Sequence, residues 1–182
     1  MKGNLISTLI LICLLLTNCF VDNKKIIDKD KPQYKTTDPS ELFFKNVRAL
    51  YYDKEEMTDA KLEIFRIKTR PRSEGHGLNL AIVLNWRFDE AYILIEPGDN
   101  LAGIKEFTLV WEKEDSKGEE EYVLGNKDSQ FTIATAIYEH ILEERDLYWS
   151  NHSKKIPLLQ SKMDREAFRV TMFDFYNLVE LL

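Results

Sequence analysis

The chain is 182 residues long, 44% hydrophobic and 12% aromatic, and its 25 basic against 31 acidic side chains give a formal net charge of −6. So much apolar material excludes a disordered protein, while the acidic balance argues against nucleic acid or an anionic bilayer surface as the main partner, because both need clustered lysine and arginine. Both cysteines, Cys13 and Cys19, fall within the first nineteen residues, so the rest of the chain has no disulfide, no thiolate metal site and no cysteine nucleophile.

Lys2 opens the chain with a positive charge, and Leu5 to Leu16 follow as an apolar run without a charge. That run has the length of a signal-peptide core and falls short of the roughly 20 residues that span a bilayer. Leu16-Thr17-Asn18-Cys19 comes next, and beyond Val21 the sequence turns polar (DNKKIIDKDK). Over about the first twenty residues this order resembles a bacterial lipoprotein signal. Leu16 stands three before the cysteine, where such signals carry a branched aliphatic residue; Asn18 replaces the usual Gly, Ala or Ser. Cys13 is a poor rival, because bulky Ile12 precedes it and Leu14 to Leu16 would be stranded after cleavage. The resemblance implies removal of residues 1–18, a diacylglycerol thioether on Cys19, acylation of the new amine, and a lipid-anchored protein of the cell envelope. Phe20 stands where aspartate retains many such proteins at the inner membrane, which implies the outer membrane in a Gram-negative organism. Losing Lys2 and no acid lowers the net charge from −6 to −7. The alternative is an uncleaved anchor, with Thr17 to Val21 extending the run toward spanning length.

Residues 19–37 read as the lipidated N-terminus and a solvated tether, with charges of both signs, one proline and little apolar periodicity. Residues 38–182 read as one globular domain. Asp38-Pro39 has the order of an N-cap followed by proline at the first helical position, predicting one or two helical turns through Phe44. Strands are predicted at Val47 to Asp53, Lys61 to Lys68 (Leu62 and Ile64 opposite Glu63), Leu78 to Trp86, Ala91 to Glu96, Phe107 to Glu112 and Glu120 to Leu124. Arg87-Phe88-Asp89-Glu90 joins the middle pair, and Ser116-Lys117-Gly118 reads as the turn of the last. Beyond Asp128-Ser129 the period becomes helical, with Ile133, Ala134, Ile137, Tyr138, Ile141 and Leu142 on one side and Glu139, His140 and Glu143 opposite. A second helix starts near Asp164, placing Phe168, Thr171, Met172, Phe175, Val179 and Leu182 on one face and Glu166, Arg169, Asn177 and Glu180 on the other. The predicted class is α+β, a mainly antiparallel sheet of about six strands covered by two C-terminal helices.

The densest polar and aromatic cluster is the turn at Trp86, Arg87, Phe88, Asp89 and Glu90. Read as a partner-contacting loop, it offers the Arg87 guanidinium to a carboxylate or phosphate and Trp86 as a stacking face, with Asp89 and Glu90 beside them. The plainer reading packs Trp86 and Phe88 into the sheet and pairs Arg87 with Asp89 or Glu90. His140, Glu143 and Glu144 have the spacing of metal ligands on a helix, but a site needs three or four converging groups, and His76 and His152 lie in unrelated loops, so no metal or other cofactor is expected. The acids from Glu112 to Glu121 lack the alternating grammar of a calcium loop and suit protection of a hairpin edge. Arg66, Lys68, Arg70 and Arg72 form a basic run that could meet lipid headgroups or an acidic partner, or be solvated. No nucleophile elbow, metalloprotease motif, phosphate loop or dinucleotide fingerprint occurs. These features point to a non-catalytic, lipid-anchored binding or accessory protein whose partner is another envelope protein, in one form an immunity-type inhibitor of an envelope-acting toxin. The alternatives are an envelope hydrolase using carboxylates and a histidine such as His76, or a structural subunit of an envelope machine.

Overall fold

Period-2 patterning builds two antiparallel sheets. The computed structural model describes residues 27–182 apart from 30, 71–76, 102, 104, 152 and 153, so Cys19 and the signal-like stretch lie outside the described residues. The first sheet has the order β1 (Tyr52–Met57), β2 (Leu62–Ile67), β3 (Leu78–Asn85), β4 (Glu90–Pro97). The second contains β5 (Glu106–Lys113), β6 (Ser116–Val123), β7 (Asp146–Asn151) and β8 (Lys154–Leu158), in the order β6-β5-β7-β8. Three α-helices complete the described fold: α1 (Asp38–Phe43), α2 (Lys127–Leu142) and α3 (Lys162–Leu178).

The α+β class and the antiparallel pairing follow the sequence reading, and two details are corrected. Among the described residues there are eight strands in two sheets, not about six in one. The helices are not all C-terminal, because α1 precedes the first sheet. The strands left out are β7 and β8, each of which sends only two apolar side chains inward: Leu147 and Trp149, then Ile156 and Leu158. Pro157 reads as a strand breaker, yet β8 is an edge strand, where a missing N–H costs no ladder bond.

One continuous core joins both sheets to the helices. Leu80, Ile82 and Leu84 of β3 and Ala91, Ile93 and Ile95 of β4 face α2 and α3, while Ala81 and Val83 share the opposite face with Ile64. Asn126 caps α2, its side-chain oxygen accepting from Ser129 N at 3.0 Å, and Ser161 caps α3 by accepting from Asp164 N at 3.0 Å. Helix α2 packs on β4, β6, β7 and α3 at once, which buries nearly its whole circumference from Phe131 to Ile141. His140, expected on a solvated face, is therefore only 4% exposed, and Leu142, expected in the apolar stripe, is exposed. The face predicted for α3 is the buried one: Phe168, Thr171, Met172, Phe175 and Val179 are all buried.

Residues 27–37, in the stretch expected to be a solvated tether, lie on the domain. Ile27 joins the core at 6% exposure, and Lys29 pairs with Glu139 at 2.7 Å. The Tyr34 hydroxyl donates to Asp128 at 2.6 Å, and Tyr34 O accepts from Ala91 N at 2.7 Å. Farther along β4, Gln130 Oε1 accepts from Ile95 N at 2.8 Å. The segment and the start of α2 together occupy the β4 edge, which otherwise would offer unpaired N–H groups to a foreign strand.

The third predicted hairpin turns two residues earlier than expected. Lys113 pairs with Ser116 around Glu114-Asp115, and Gly118 sits inside β6 opposite Trp111. A Cβ at Gly118 would overlap the Trp111 ring, so this glycine makes room for the indole of its cross-strand partner.

Candidate binding surface

The segment from Thr37 to Tyr51 carries an amphipathic pattern turned inside out. Thr37, one residue before the predicted cap, starts α1 with a capping box in which it and Ser40 bond each other's backbone N–H. Ser40 Oγ donates to Leu178 O at 2.8 Å, and Thr37 Oγ1 donates to Glu180 Oε1 at 2.6 Å, which fixes the helix start to the end of α3. The chain continues through a π-helical turn, Phe44–Arg48, and a short 3-10 turn, Ala49–Tyr51. Phe44 alone is a fully buried anchor, with its ring 5.1 Å from Phe65 in an edge-on contact. Arg48 then grips Asp174 of α3 with two hydrogen bonds, from Nε at 2.8 Å and Nη2 at 3.1 Å. Tyr52 donates to the same carboxylate at 2.7 Å.

The side chains that face the domain are thus Ser40, Glu41, Phe44, Arg48 and the small Ala49, so that Phe44 is the one large apolar group among them. Leu42, Phe43, Val47, Leu50 and Tyr51 point outward and are 43–62% exposed. An ordinary surface helix does the reverse, burying its apolar stripe. Five large apolar side chains within ten residues are thus exposed together, on the order of the few hundred Å² of the largest apolar patch on a typical monomer, which is often functional. The aromatic and aliphatic content that suggested a strand from Val47 belongs instead to this display, and β1 begins only at Tyr52.

A groove of about 350 Å³ adjoins the far end of the stripe, where β2 ends against α3. Leu50, Tyr51, Ile67 and Val170 supply its apolar walls, and Lys68 and Glu166 stand on it.

The turn expected to contact a partner lies at the other end of the first sheet. Asn85 pairs with Glu90, so Trp86 to Asp89 form the loop, and Asp89 takes a left-handed φ of 51°. Trp86 is 41% and Phe88 54% exposed, so neither ring packs into the sheet as the plainer reading required. Lys61 lies over Trp86 at 4.7 Å, and the Arg87 guanidinium lies over Phe88 at 5.4 Å. Glu90 is held by Lys127 at 3.1 Å, and Thr36 N donates to Asp89 O at 2.9 Å. The four proposed contact residues therefore stay together at a tip beside the start of α1, with Trp86 and Arg87 outward and Glu90 engaged by the domain.

His140 and the acids near it do not form the expected helix-face arrangement. Among the described residues no group of three or more His, Cys, Asp or Glu converges as a metal site, and His76 lies outside the described residues. His140 Nε2 lies 3.2 Å from Glu120 Oε1, and its Nδ1 lies 2.9 Å from Arg145 Nη1. A guanidinium can only donate, so Nδ1 accepts, the imidazole is neutral, and Nε2 donates to Glu120. Arg145 also lies over Trp111 at 3.8 Å, and Tyr122 donates to Glu120 Oε2. Burial lowers the His140 pKa from its ordinary value; Glu120 opposes this, and Arg145 and Lys29 reinforce it. Burial would raise the Glu120 carboxyl, but Tyr122, His140 and Lys29 outweigh it and hold the group below its usual range.

The sign of the resulting pH dependence is fixed. The unfolded chain protonates this histidine near pH 6.5, the folded chain only at lower pH, so stability is full above that value and falls as the pH drops through the window. Replacing His140 by Asn is expected to flatten the loss of unfolding free energy between about pH 7 and pH 5, as read by urea titration at each pH. Equal slopes in the two proteins would show that burial does not lower the proton affinity of His140 in the folded chain.

Sequence reasoning singles out the Trp86 turn because charge and aromatics are clustered there. It missed the stripe, although Leu42, Phe43, Val47, Leu50 and Tyr51 follow a helix start at helical spacing. Comparison with known proteins finds no matching family model, no similar curated protein and no similar solved structure.

Proposed function

We propose that this chain is a non-catalytic binding protein, anchored in the cell envelope by lipid on Cys19, and that it engages another envelope protein through the Leu42–Tyr51 stripe. One observation carries the binding reading: a capped, firmly attached helical segment faces its own domain with polar groups and presents five large apolar side chains to solvent. Keeping such a surface open costs solubility, and contact with a partner explains its retention. The Trp86–Glu90 tip, next to the start of α1, offers a second contact, with Trp86 and Arg87 as residue types common at binding hot spots. An immunity-type inhibitor of an envelope-acting toxin is one form this function takes, and the outer membrane is the location in a Gram-negative cell.

Two measurements test the two halves of the proposal. Cys19→Ser is expected to abolish incorporation of labelled fatty acid and to leave a slower-migrating precursor; unchanged labelling removes the anchor. A photocrosslinker at Leu42 or Val47 of the full chain is expected to capture one protein from detergent-solubilised envelope, and Leu42→Asp with Val47→Asp to abolish that capture. Because both side chains are exposed, the double variant is expected to keep its thermal midpoint nearly unchanged. Undiminished capture by the folded double variant would exclude the stripe as the contact surface.

A further inference from the structure

We propose that the groove at the end of the stripe is an anchor pocket for a protein partner that inserts a large apolar side chain carrying an aspartate or glutamate beside it. The inference rests on the binding reading above and specifies the chemistry of what is bound. The groove volume of about 350 Å³ accommodates one or two large side chains, and Leu50, Tyr51, Ile67 and Val170 line it with apolar surface. Apolar recesses that a partner fills and desolvates are where interface energy concentrates.

Charge accounting around the groove selects the flanking group. Arg48 is committed to Asp174 at 2.8 Å, Arg66 to Glu55 and Glu96 at 2.7 Å, and Arg70 to Asp53 at 2.8 Å. Lys45 is held by Glu63 at 3.1 Å, and Glu166 is neutralised by Arg169 at 2.8 Å. Lys68 differs: its ammonium donates to Leu50 O at 2.8 Å, a neutral acceptor, and among the described residues no carboxylate answers it. Two of its three N–H donors remain for a ligand. In a chain of net charge −6 the groove is thus a local positive point on an apolar floor, and a carboxylate placed there fixes the register of whatever fills the pocket.

Two other occupants fit less well. A second copy bringing its own stripe would bring no acid within Leu42–Tyr51 to answer Lys68. A bilayer is flat where the groove is concave, and an anionic one repels the acidic domain.

The test selects a displayed random-peptide library on the detergent-solubilised full chain. Recovered peptides are expected to share an aromatic or leucine residue with Asp or Glu within one helical turn. Their affinity is expected to fall at least about tenfold on Leu50→Ser and on Lys68→Glu, while the Lys68→Glu protein selects Lys or Arg in place of the acid. Both variants are exposed-site changes whose folding is verified by thermal melts. Peptides lacking the acid, peptides indifferent to both substitutions, or no enrichment at all would overturn the proposal. So would a concentration-dependent dimer in sedimentation that Leu50→Ser dissolves, or binding to phosphatidylcholine–phosphatidylglycerol vesicles by Cys19→Ser protein that Leu50→Ser abolishes. Capture at Leu42 and Val47 that survives Lys68→Glu keeps the binding function and removes only this pocket chemistry.

Discussion

Replacing Phe175 by Ala is expected to lower the free energy of unfolding by about 3–5 kcal/mol, the usual cost of emptying a fully buried phenylalanine site. Phe175 has no exposed surface, and its ring meets Phe131 of α2 edge-on at 6.2 Å and Tyr176 at 5.8 Å. The site cannot close over the loss, because both neighbours are themselves held. Tyr176 donates to Thr135 at 3.0 Å and stands edge-on to Tyr138 at 5.4 Å, and Phe131 is edge-on to Tyr34 at 6.3 Å. A typical domain is stable by only about 5–15 kcal/mol, so the variant should lose much of its margin and unfold at far lower urea. A loss below about 1 kcal/mol, the range of surface changes, would mean that α3 is not the centre of the core. The same aromatic chain ties Tyr34, and with it residues 27–37, to α3, so the variant should also loosen the segment lying on the β4 edge.

What the sequence made legible was what a single period can carry. Strands β3 and β4 announce themselves through long apolar runs, and α3 through a stripe from Phe168 to Val179 that one surface of the fold covers. Helix α2 defeated the same logic because two sheets and α3 enclose it. A position opposite its apolar stripe is still inside the protein, which is how His140 came to be buried beside Glu120 and Arg145. Strands β7 and β8 are short, with two inward side chains each, too few for alternation to stand out. Residues 47–51 have strand-like composition, but the capping box at Thr37 and the Arg48–Asp174 pair continue the helical path through them. That pairing joins residues 126 positions apart, and no local pattern encodes it. The candidate site was half legible for the same reason. The Trp86 tip is local and was read, whereas the stripe depends on which side of a helix the distant Asp174 pulls inward.

Asp174→Ala is accordingly expected to cost about 1–3 kcal/mol, the penalty for leaving the buried Tyr52 hydroxyl without its acceptor, since the Arg48 side chain left behind is 29% exposed and can be rehydrated, and to release the apolar stripe from the domain. Asp174 is 3% exposed and accepts from Arg48 Nε at 2.8 Å, Arg48 Nη2 at 3.1 Å and the buried Tyr52 hydroxyl at 2.7 Å. Without it the Tyr52 hydroxyl is left in the core with its carboxylate gone, and Arg48 loses the fork that held its backbone against α3. Residues 42–51 then keep Phe44, the Lys45–Glu63 pair at 3.1 Å and the Lys68 hydrogen bonds to the carbonyls of Leu50 and Tyr51 as attachments, since their own large apolar side chains face outward and contribute little to holding them down. Hydrogen exchange should therefore show faster exchange of the amides from Phe44 to Tyr51 than the global loss of stability predicts, while α2 and β3 follow the global value. A double-mutant cycle with Arg48→Met should return a coupling of at least about 1 kcal/mol. Partner capture through Leu42 and Val47 should fall as well, although Asp174 lies outside the stripe, because the variant disorders the surface proposed to be recognised. Retained protection at Phe44 to Tyr51, with zero coupling to Arg48, would show that something other than this ion pair turns the segment's apolar side outward.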